Sequence, residues 1–216
     1  MEIRIRNTLS ARFANPIIVT TIIILLAIPL TGCVGAFIGA GTTVGKALSE
    51  ERGLKASALD LAIRAQIIAR WLEHNERIAT FVSVSISEGR VLLTGTLKSQ
   101  QMRLDAVRLA WQVKGVKEVI NEIKIANNEG ILGFVRDAWI TTQLKTSLAF
   151  DPSVESINYS VETLKKTVYL MGIAQDTFEL ARVKNHAQQL KHVRQVISYV
   201  YLKNDPRRLK PQAPQK

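Results

Sequence analysis

The chain contains two short stretches with one pattern, GRVLLTG at residues 89–95 and KTVYLMG at residues 166–172. They lie 77 residues apart. The same offset relates DLAI at 60–63 to DAWI at 137–140, and GVKEV at 115–119 to HVRQV at 192–196. Repetition at a fixed spacing indicates a duplicated structural unit. We therefore predict a fold built from two copies of one unit.

Each copy opens with apolar residues at helical spacing, Ile63, Ile67 and Trp71 in the first and Ile140, Leu144 and Leu148 in the second. Two segments then alternate apolar and polar residues around a short turn, which predicts a β-hairpin with one buried face. A second helical segment and a final strand, VINEIKI or VISYVYL, complete the copy. The fold class is therefore α+β: tandem αββαβ units, each a three-stranded mixed sheet covered by two helices.

The first 45 residues carry the signals of export. Arg4, Arg6 and Arg12 precede an apolar stretch, which ends in Leu30-Thr31-Gly32-Cys33. This order is typical of a secretory signal peptide with small residues at its cleavage site. The alternative is a transmembrane anchor, because no charged residue occurs between Arg12 and Lys46. Pro29 and several glycines interrupt that run and favour the signal peptide.

The segment ending at Cys33 also resembles a bacterial lipobox. The resemblance implies cleavage before Cys33, which would carry a diacylglycerol and an N-acyl chain, and Val34 in the next position implies sorting to the outer membrane. Such chains anchor a protein durably, because each buried CH₂ contributes about 0.8 kcal/mol. With one cysteine and three histidines in the chain, we predict no metal site and no further cofactor.

VLLTG followed by GVKEVINEI resembles the BON domain, and two such units behind a lipobox resemble the dual-BON outer-membrane lipoproteins of the Gram-negative envelope. We predict boundaries that assign every residue. They are a signal peptide (1–32), a lipidated cysteine with linker (33–57), a first BON domain (58–126), a linker (127–135), a second BON domain (136–203) and a disordered basic tail (204–216). In the second unit His192 replaces Gly115, which predicts either that this loop has lost the need for a positive φ or that its turn is longer.

The charge and motif content argue for binding and against catalysis. The net charge is +11, which suits anionic lipid or acidic polymers, and export removes nucleic acid from the candidate partners. The sequence contains no nucleophile elbow, no phosphate-binding loop and no paired histidines, so we expect no enzyme. Asp60 and Asp137 are predicted in the first turn of equivalent helices, where a carboxylate stabilises the helix dipole.

Trp139 is the strongest candidate for a functional residue. Its counterpart is Ala62, so the fold does not require an indole there, and Trp139 precedes the core residue Ile140. Tryptophan favours the boundary between membrane and water. The open alternative is that Trp139 packs into the seam between the two units. For Trp111 the seam is the favoured interpretation, and Trp71 is predicted to lie in the core.

Further residues are predicted to assist Trp139 in lipid binding. Leu132 and Phe134 would form an apolar tip beside it, and basic residues would meet phosphates. The predicted basic residues are Arg136, Arg182, Lys184 and Lys191. The sequence thus favours a lipoprotein that binds anionic phospholipid and supports outer-membrane integrity. The alternative is a periplasmic scaffold for outer-membrane assembly machinery or for a peptidoglycan-remodelling complex.

Overall fold

The computed structural model describes residues 53–126 and 131–209. The predictions for the signal peptide, for Cys33 and for most of the linker after it lie outside these residues. Among the described residues, no helix combines the length and the apolar composition needed to cross a bilayer.

The two halves of the described chain repeat the same elements. The first domain consists of α1 (Gly53–His74), α2 (Glu76–Phe81), β1 (Val82–Ser87), β2 (Arg90–Leu97), α3 (Gln100–Trp111) and β3 (Glu118–Ile125). The second consists of α4 (Ile131–Phe150), a 3₁₀ turn (Ser156–Asn158), β4 (Tyr159–Leu164), β5 (Thr167–Ala174), α5 (Thr177–Gln189) and β6 (Gln195–Leu202), and is followed by the short α6 (Pro206–Leu209). The predicted order is confirmed, with α2 as an addition.

Each sheet is mixed, as predicted. In the first domain β1 pairs antiparallel with β2 and β2 pairs parallel with β3, and β4, β5 and β6 repeat this arrangement. The helices cover one face of each sheet. Trp71 lies fully buried in that core, and its indole nitrogen donates a hydrogen bond to the Ala106 carbonyl at 3.1 Å. The core assignment of Trp71 is confirmed.

The prediction of one buried face per hairpin is wrong. Val91, Leu92 and Leu93 are successive residues of β2, and each is at most 1% exposed. Side chains alternate between the faces of a strand, so both faces of β2 are buried. The second face packs against the other domain in a seam, which we define as Leu92, Tyr169 and Met171 with the partly buried residues around them.

The seam joins equivalent positions of the two domains. The Ser85 hydroxyl donates a hydrogen bond to Glu162 at 3.4 Å, and the Tyr199 hydroxyl donates one to Glu122, and in each pair the partners are 77 residues apart. Contact between equivalent positions is what a two-fold arrangement produces. The duplicated units therefore share one interface and bury each other's second sheet face.

The prediction of a disordered tail is wrong for residues 204–209, and residues 210–216 lie outside the described part of the chain. Residues 204–209 are ordered and include α6, whose Arg208 forms an ion pair of 2.7 Å with Glu88 of the first domain. The guanidinium groups of Arg90 and Arg207 lie 3.6 and 4.2 Å from the centre of the Tyr201 ring. These contacts connect the end of the second domain to the first. The predicted linker also ends earlier, because α4 begins at Ile131.

Candidate lipid-contact site

The hairpin turn of each domain is fastened to its first helix by an aspartate. Asp137 accepts hydrogen bonds from the backbone N–H groups of Lys165 and Lys166, at 2.6 and 3.0 Å. Asp60 accepts the same pair of bonds from Glu88 and Gly89, at 2.8 and 2.9 Å. Both aspartates lie well inside their helices, so their predicted first-turn position is wrong. A buried carboxylate bonded to two N–H groups holds the turn against the helix.

Trp139 lies on α4 next to this turn and is 43% exposed. Its ring meets that of His192 edge-on, with the centroids 6.4 Å apart and the planes at 65°. Neither Trp139 nor Trp111, which is 39% exposed, belongs to the seam. The favoured interpretation of Trp111 is therefore wrong, and Trp139 presents part of its indole to the surface.

The loop that carries His192 keeps the backbone of its counterpart. His192 has φ of +76°, and Gly115 has φ of +98°. The prediction that this loop has lost the need for a positive φ is wrong. A residue other than glycine pays for this conformation in strain. The strained loop places the imidazole against Trp139.

Phe134 lies on a different side of α4 from Trp139. It is 72% exposed and lines a groove of about 340 Å³ together with Phe81 and Leu164. Five residues along a helix correspond to a rotation of about 140°, which separates the two aromatic rings. The side chain of Leu132 lies outside the described part of the structure. The apolar tip predicted around Trp139 is therefore not formed by Phe134.

Glu162 lines the same groove. Burial raises the pKa of its carboxyl, although the positive charge of Lys145 and the hydrogen bond from Ser85 act in the opposite direction. In the other side-chain pair between the domains, burial also acts to raise the pKa of Glu122, but hydrogen bonds from Tyr199 and Lys124 outweigh it and the pKa is lowered. The interface between the two domains thus contains two carboxyl groups whose pKa values are shifted in opposite directions.

Val135 is the apolar neighbour of Trp139 that the sequence reasoning missed. It is 57% exposed and lies four residues before Trp139, which places the two side chains on the same side of α4. The four-residue spacing between Val135 and Trp139 in the sequence could have predicted this neighbour. Arg136 lies three residues before Trp139 and is half-buried.

The four predicted basic residues do not form one group. Lys191 precedes His192 and is exposed, so it lies at the Trp139 end of the domain, as does Arg136. Arg182 forms an ion pair of 3.5 Å with Asp151, just beyond the far end of α4. Asp151 is twelve residues from Trp139 in the sequence, or about 18 Å at the helical rise of 1.5 Å per residue. Lys184 lies between these ends on α5 and is half-buried.

Three further basic residues lie at the Trp139 end. Asp137 holds the backbone of Lys165 and Lys166 there, and the Arg194 N–H donates to the Lys166 carbonyl at 2.8 Å. Sequence reasoning missed them because they come from the hairpin turn and from the loop before β6. We define the basic end as Arg136, Lys165, Lys166, Lys191 and Arg194, which lie at the same end of the second domain as Trp139.

Within residues 53–126 and 131–209, no three metal-ligating side chains lie close enough to hold an ion. His186 contacts Asp151 at 2.7 Å, and His192 contacts Trp139. These two histidines lie at opposite ends of the second domain and serve different contacts.

Comparison with known proteins agrees with the duplicated fold. The sequence matches the family described as "BON domain" at residues 59–127 and again at residues 136–204. The chain belongs to the BON-domain family and contains two such domains in tandem.

Three relatives extend the likeness over most of the chain. A protein of Anaplasma centrale, named "Uncharacterized protein in gshII 5'region", is 44% identical over 67% of this chain and 95% of its own length. "Outer membrane lipoprotein DolP" of Haemophilus influenzae is 28% identical over 73% of this chain and 82% of its own. "Osmotically-inducible protein Y" of Escherichia coli is 27% identical over 80% of this chain and 91% of its own.

Proposed function

We propose that this protein is a non-enzymatic lipoprotein of the outer membrane, anchored through acyl chains on Cys33, whose second domain binds anionic phospholipid and supports membrane integrity. The similarity to a protein named outer membrane lipoprotein supports the location. The lipobox-like segment before Cys33 supports the anchor. No cofactor other than the diacylglycerol and N-acyl chain enters this proposal.

One observation carries the lipid contact: the half-exposed indole of Trp139 lies at the basic end of the second domain. Trp139 and Val135 supply the apolar surface, and neither is needed by the fold, because their counterparts are Ala62 and Ala58. An indole inserts at the depth of the head groups, where its ring is apolar and its N–H meets polar atoms. Basic side chains near an anionic leaflet contribute about 1 kcal/mol each.

Sedimentation with vesicles tests this contact. A chain beginning at Val34 keeps the described core, whose buried apolar residues run from Ile63 to Tyr201. We expect it to sediment with phosphatidylglycerol vesicles at low salt and less with phosphatidylcholine vesicles. Trp139→Ala is expected to weaken binding at least tenfold without changing the circular dichroism. Trp111→Ala is the matched control and is expected to bind normally. Equal binding by all three chains would remove the proposal.

The lipid contact and the anchor are tested separately in cells. Cys33→Ser is expected to release the protein from the outer membrane, and mass spectrometry of the native protein is expected to find an acylated N-terminus at residue 33. Trp139→Ala is expected to stay anchored but to fail to restore detergent resistance in a deletion strain. A native protein that begins at Met1 with a free thiol would refute the anchor.

A scaffold function is the second candidate, and one feature favours it. Phe150 and Phe178 are each 84% exposed, and their counterparts are Glu73 and Gln101. Phe178 borders a hollow of about 710 Å³ that Arg182 also lines, at the end of the domain away from Trp139. A photo-crosslinker placed at Phe178 is expected to form a protein adduct in cells if this end binds a partner, whereas one at Gln101 is not.

A further inference from the structure

The first domain has an open cleft at the place where the second domain is closed. The cleft has a volume of about 560 Å³ and lies between the first turns of α1, the hairpin turn and the loop before β3. Small-molecule sites in proteins have volumes of about 300–1,000 Å³. Six of its lining residues matter here: Leu59, Ala62, Ile63, Lys114, Gly115 and Lys117.

Two substitutions between the repeats account for the difference. The position of Ala62 is taken by Trp139 in the second domain, and that of Gly115 is taken by His192. Those two rings meet across the equivalent place, with centroids 6.4 Å apart. The second domain therefore shows that this place accepts an apolar, ring-sized group without a change of fold. In the first domain Ala62 and Gly115 place no ring there, and the Ile63 side chain, which packs against Gly115, forms the inner wall of the cleft.

The floor of the cleft is apolar and its rim is cationic. Leu59 is 56% exposed although it is a large apolar side chain, and Ile63 lies beneath it in the wall. Lys114 and Lys117 stand on the rim, are exposed, and have no ion-pair partner among the described residues. Such a floor is stabilised by an apolar ligand that removes it from water.

The two carboxylates of the cleft are already engaged. Both oxygens of Asp60 accept backbone hydrogen bonds from the hairpin turn, and Glu88 is paired with Arg208 at 2.7 Å. The charge that remains for a ligand to meet is therefore that of Lys114 and Lys117. A ligand that complements both the floor and the rim needs an apolar chain and an anionic head group.

We propose that the cleft of the first domain binds a free single-chain anionic amphiphile, with the chain against Leu59, Ala62 and Ile63 and the head group between Lys114 and Lys117. We expect a ligand with one alkyl chain, because the equivalent place in the second domain is filled by only one indole and one imidazole. This site lies in the other domain from Trp139 and does not depend on the membrane contact proposed above.

Calorimetry with three probes tests the chemistry of the site, using the chain from Val34 and amphiphiles below their micelle concentrations. Dodecyl phosphate is expected to bind at one site per chain. Dodecyl maltoside, which has the same tail and a neutral head, is expected to bind at least tenfold more weakly. Inorganic phosphate is expected not to bind. Equal affinity for the two dodecyl compounds, or binding of phosphate alone, would overturn the proposal.

Substitutions on the helix surface test the location. Ala62→Trp copies the second domain and is expected to reduce the affinity for dodecyl phosphate at least tenfold. Ala69→Trp is the matched control: it is exposed on the same helix, seven residues or about 10 Å beyond Ala62, and does not line the cleft. It is expected to bind within twofold of the parent. A parent-like affinity of Ala62→Trp would overturn the proposal.

Two further measurements distinguish loss of the binding site from misfolding of a variant. The double variant Lys114→Gln/Lys117→Gln is expected to lose affinity about fivefold or more for dodecyl phosphate and to keep it for dodecyl maltoside. In NMR spectra, dodecyl phosphate is expected to shift the amide signal of Gly115 and to leave that of Gly172 in place. Shifts at Gly172 alone would place the ligand elsewhere and overturn the proposal.

The vesicle assay separates this site from the contact at Trp139. Ala62→Trp is expected to sediment with phosphatidylglycerol vesicles like the parent, and Trp139→Ala is expected to bind dodecyl phosphate like the parent. Loss of dodecyl phosphate binding in Trp139→Ala would show that the amphiphile uses the membrane contact, and would overturn the proposed cleft.

Discussion

Removal of the Asp137 carboxylate is expected to destabilise the second domain strongly. Asp137 is 9% exposed, and its carboxylate accepts two backbone hydrogen bonds, at 2.6 and 3.0 Å. A hydrogen bond to a charged group contributes about 1.5–3 kcal/mol, so Asp137→Ala is expected to lower the free energy of unfolding by about 3–6 kcal/mol. The turn that it holds also has Lys165 and Lys166 at φ of +50° and +66°, which the chain does not adopt readily without support.

Urea unfolding followed by circular dichroism measures this loss. Asp137→Asn keeps one acceptor oxygen and is expected to lose about half as much, about 1.5–3 kcal/mol. Thr142→Ala, an exposed change on the same helix, is the control and is expected to stay within about 0.5 kcal/mol of the parent. The slope against urea is expected to be unchanged in all variants. A loss in Asp137→Ala no greater than that of Thr142→Ala would refute the role of the carboxylate in holding the turn.

Three other predictions concern close packing and the seam. Gly172→Ala is expected to prevent folding of the second domain, because its Cβ would lie 1.9 Å from the Asn158 carbonyl oxygen at φ of +146°; a cooperative melt near the parent temperature would contradict this. Burial raises the pKa of Glu162 above its usual value near 4.3, so the folded state favours its protonated form, and stability falls as the pH rises through the raised pKa. Glu162→Gln is therefore expected to raise the melting temperature relative to the parent more at pH 7 than at pH 4, and an equal effect at both would refute the shift. Arg208→Gln removes a paired guanidinium and is expected to lower the free energy of unfolding in urea by about 1–3 kcal/mol, whereas no change would show that the pair with Glu88 does not stabilise the protein.

The repeat could be predicted from the sequence because its signals are local. Apolar residues at helical spacing, such as Ile63, Ile67 and Trp71, specify which face of a helix is buried, whatever it packs against. The mixed sheet followed from a hairpin, whose strands are antiparallel, and from a strand-helix-strand connection, which joins parallel strands. The exposure of Trp139 followed from its neighbour Ile140, because adjacent residues point in directions about 100° apart.

The site could be predicted only in part, because its members come from separate elements. Trp139 and Arg136 share a helix, and the sequence shows that. Lys166 and Arg194 reach the same surface from a turn and a loop, and only the folded chain brings these together. Arg182 was predicted to assist Trp139 but lies at the other end of the domain. The sequence places Arg182 on α5, but it does not give the distance from Arg182 to Trp139.

The sequence by itself determined the two αββαβ units, their helix faces and the unusual indole, because each depends on residues a few positions apart. The tertiary structure decided what the second face of each sheet does. Leu92 and Tyr169 are buried because two sheets meet there, and a strand pattern does not distinguish a face that meets water from one that meets its own duplicate. It also decided that one domain is closed by Trp139 and His192 while the other keeps a cleft, since those residues are 53 positions apart and meet only when the helix and the loop are packed.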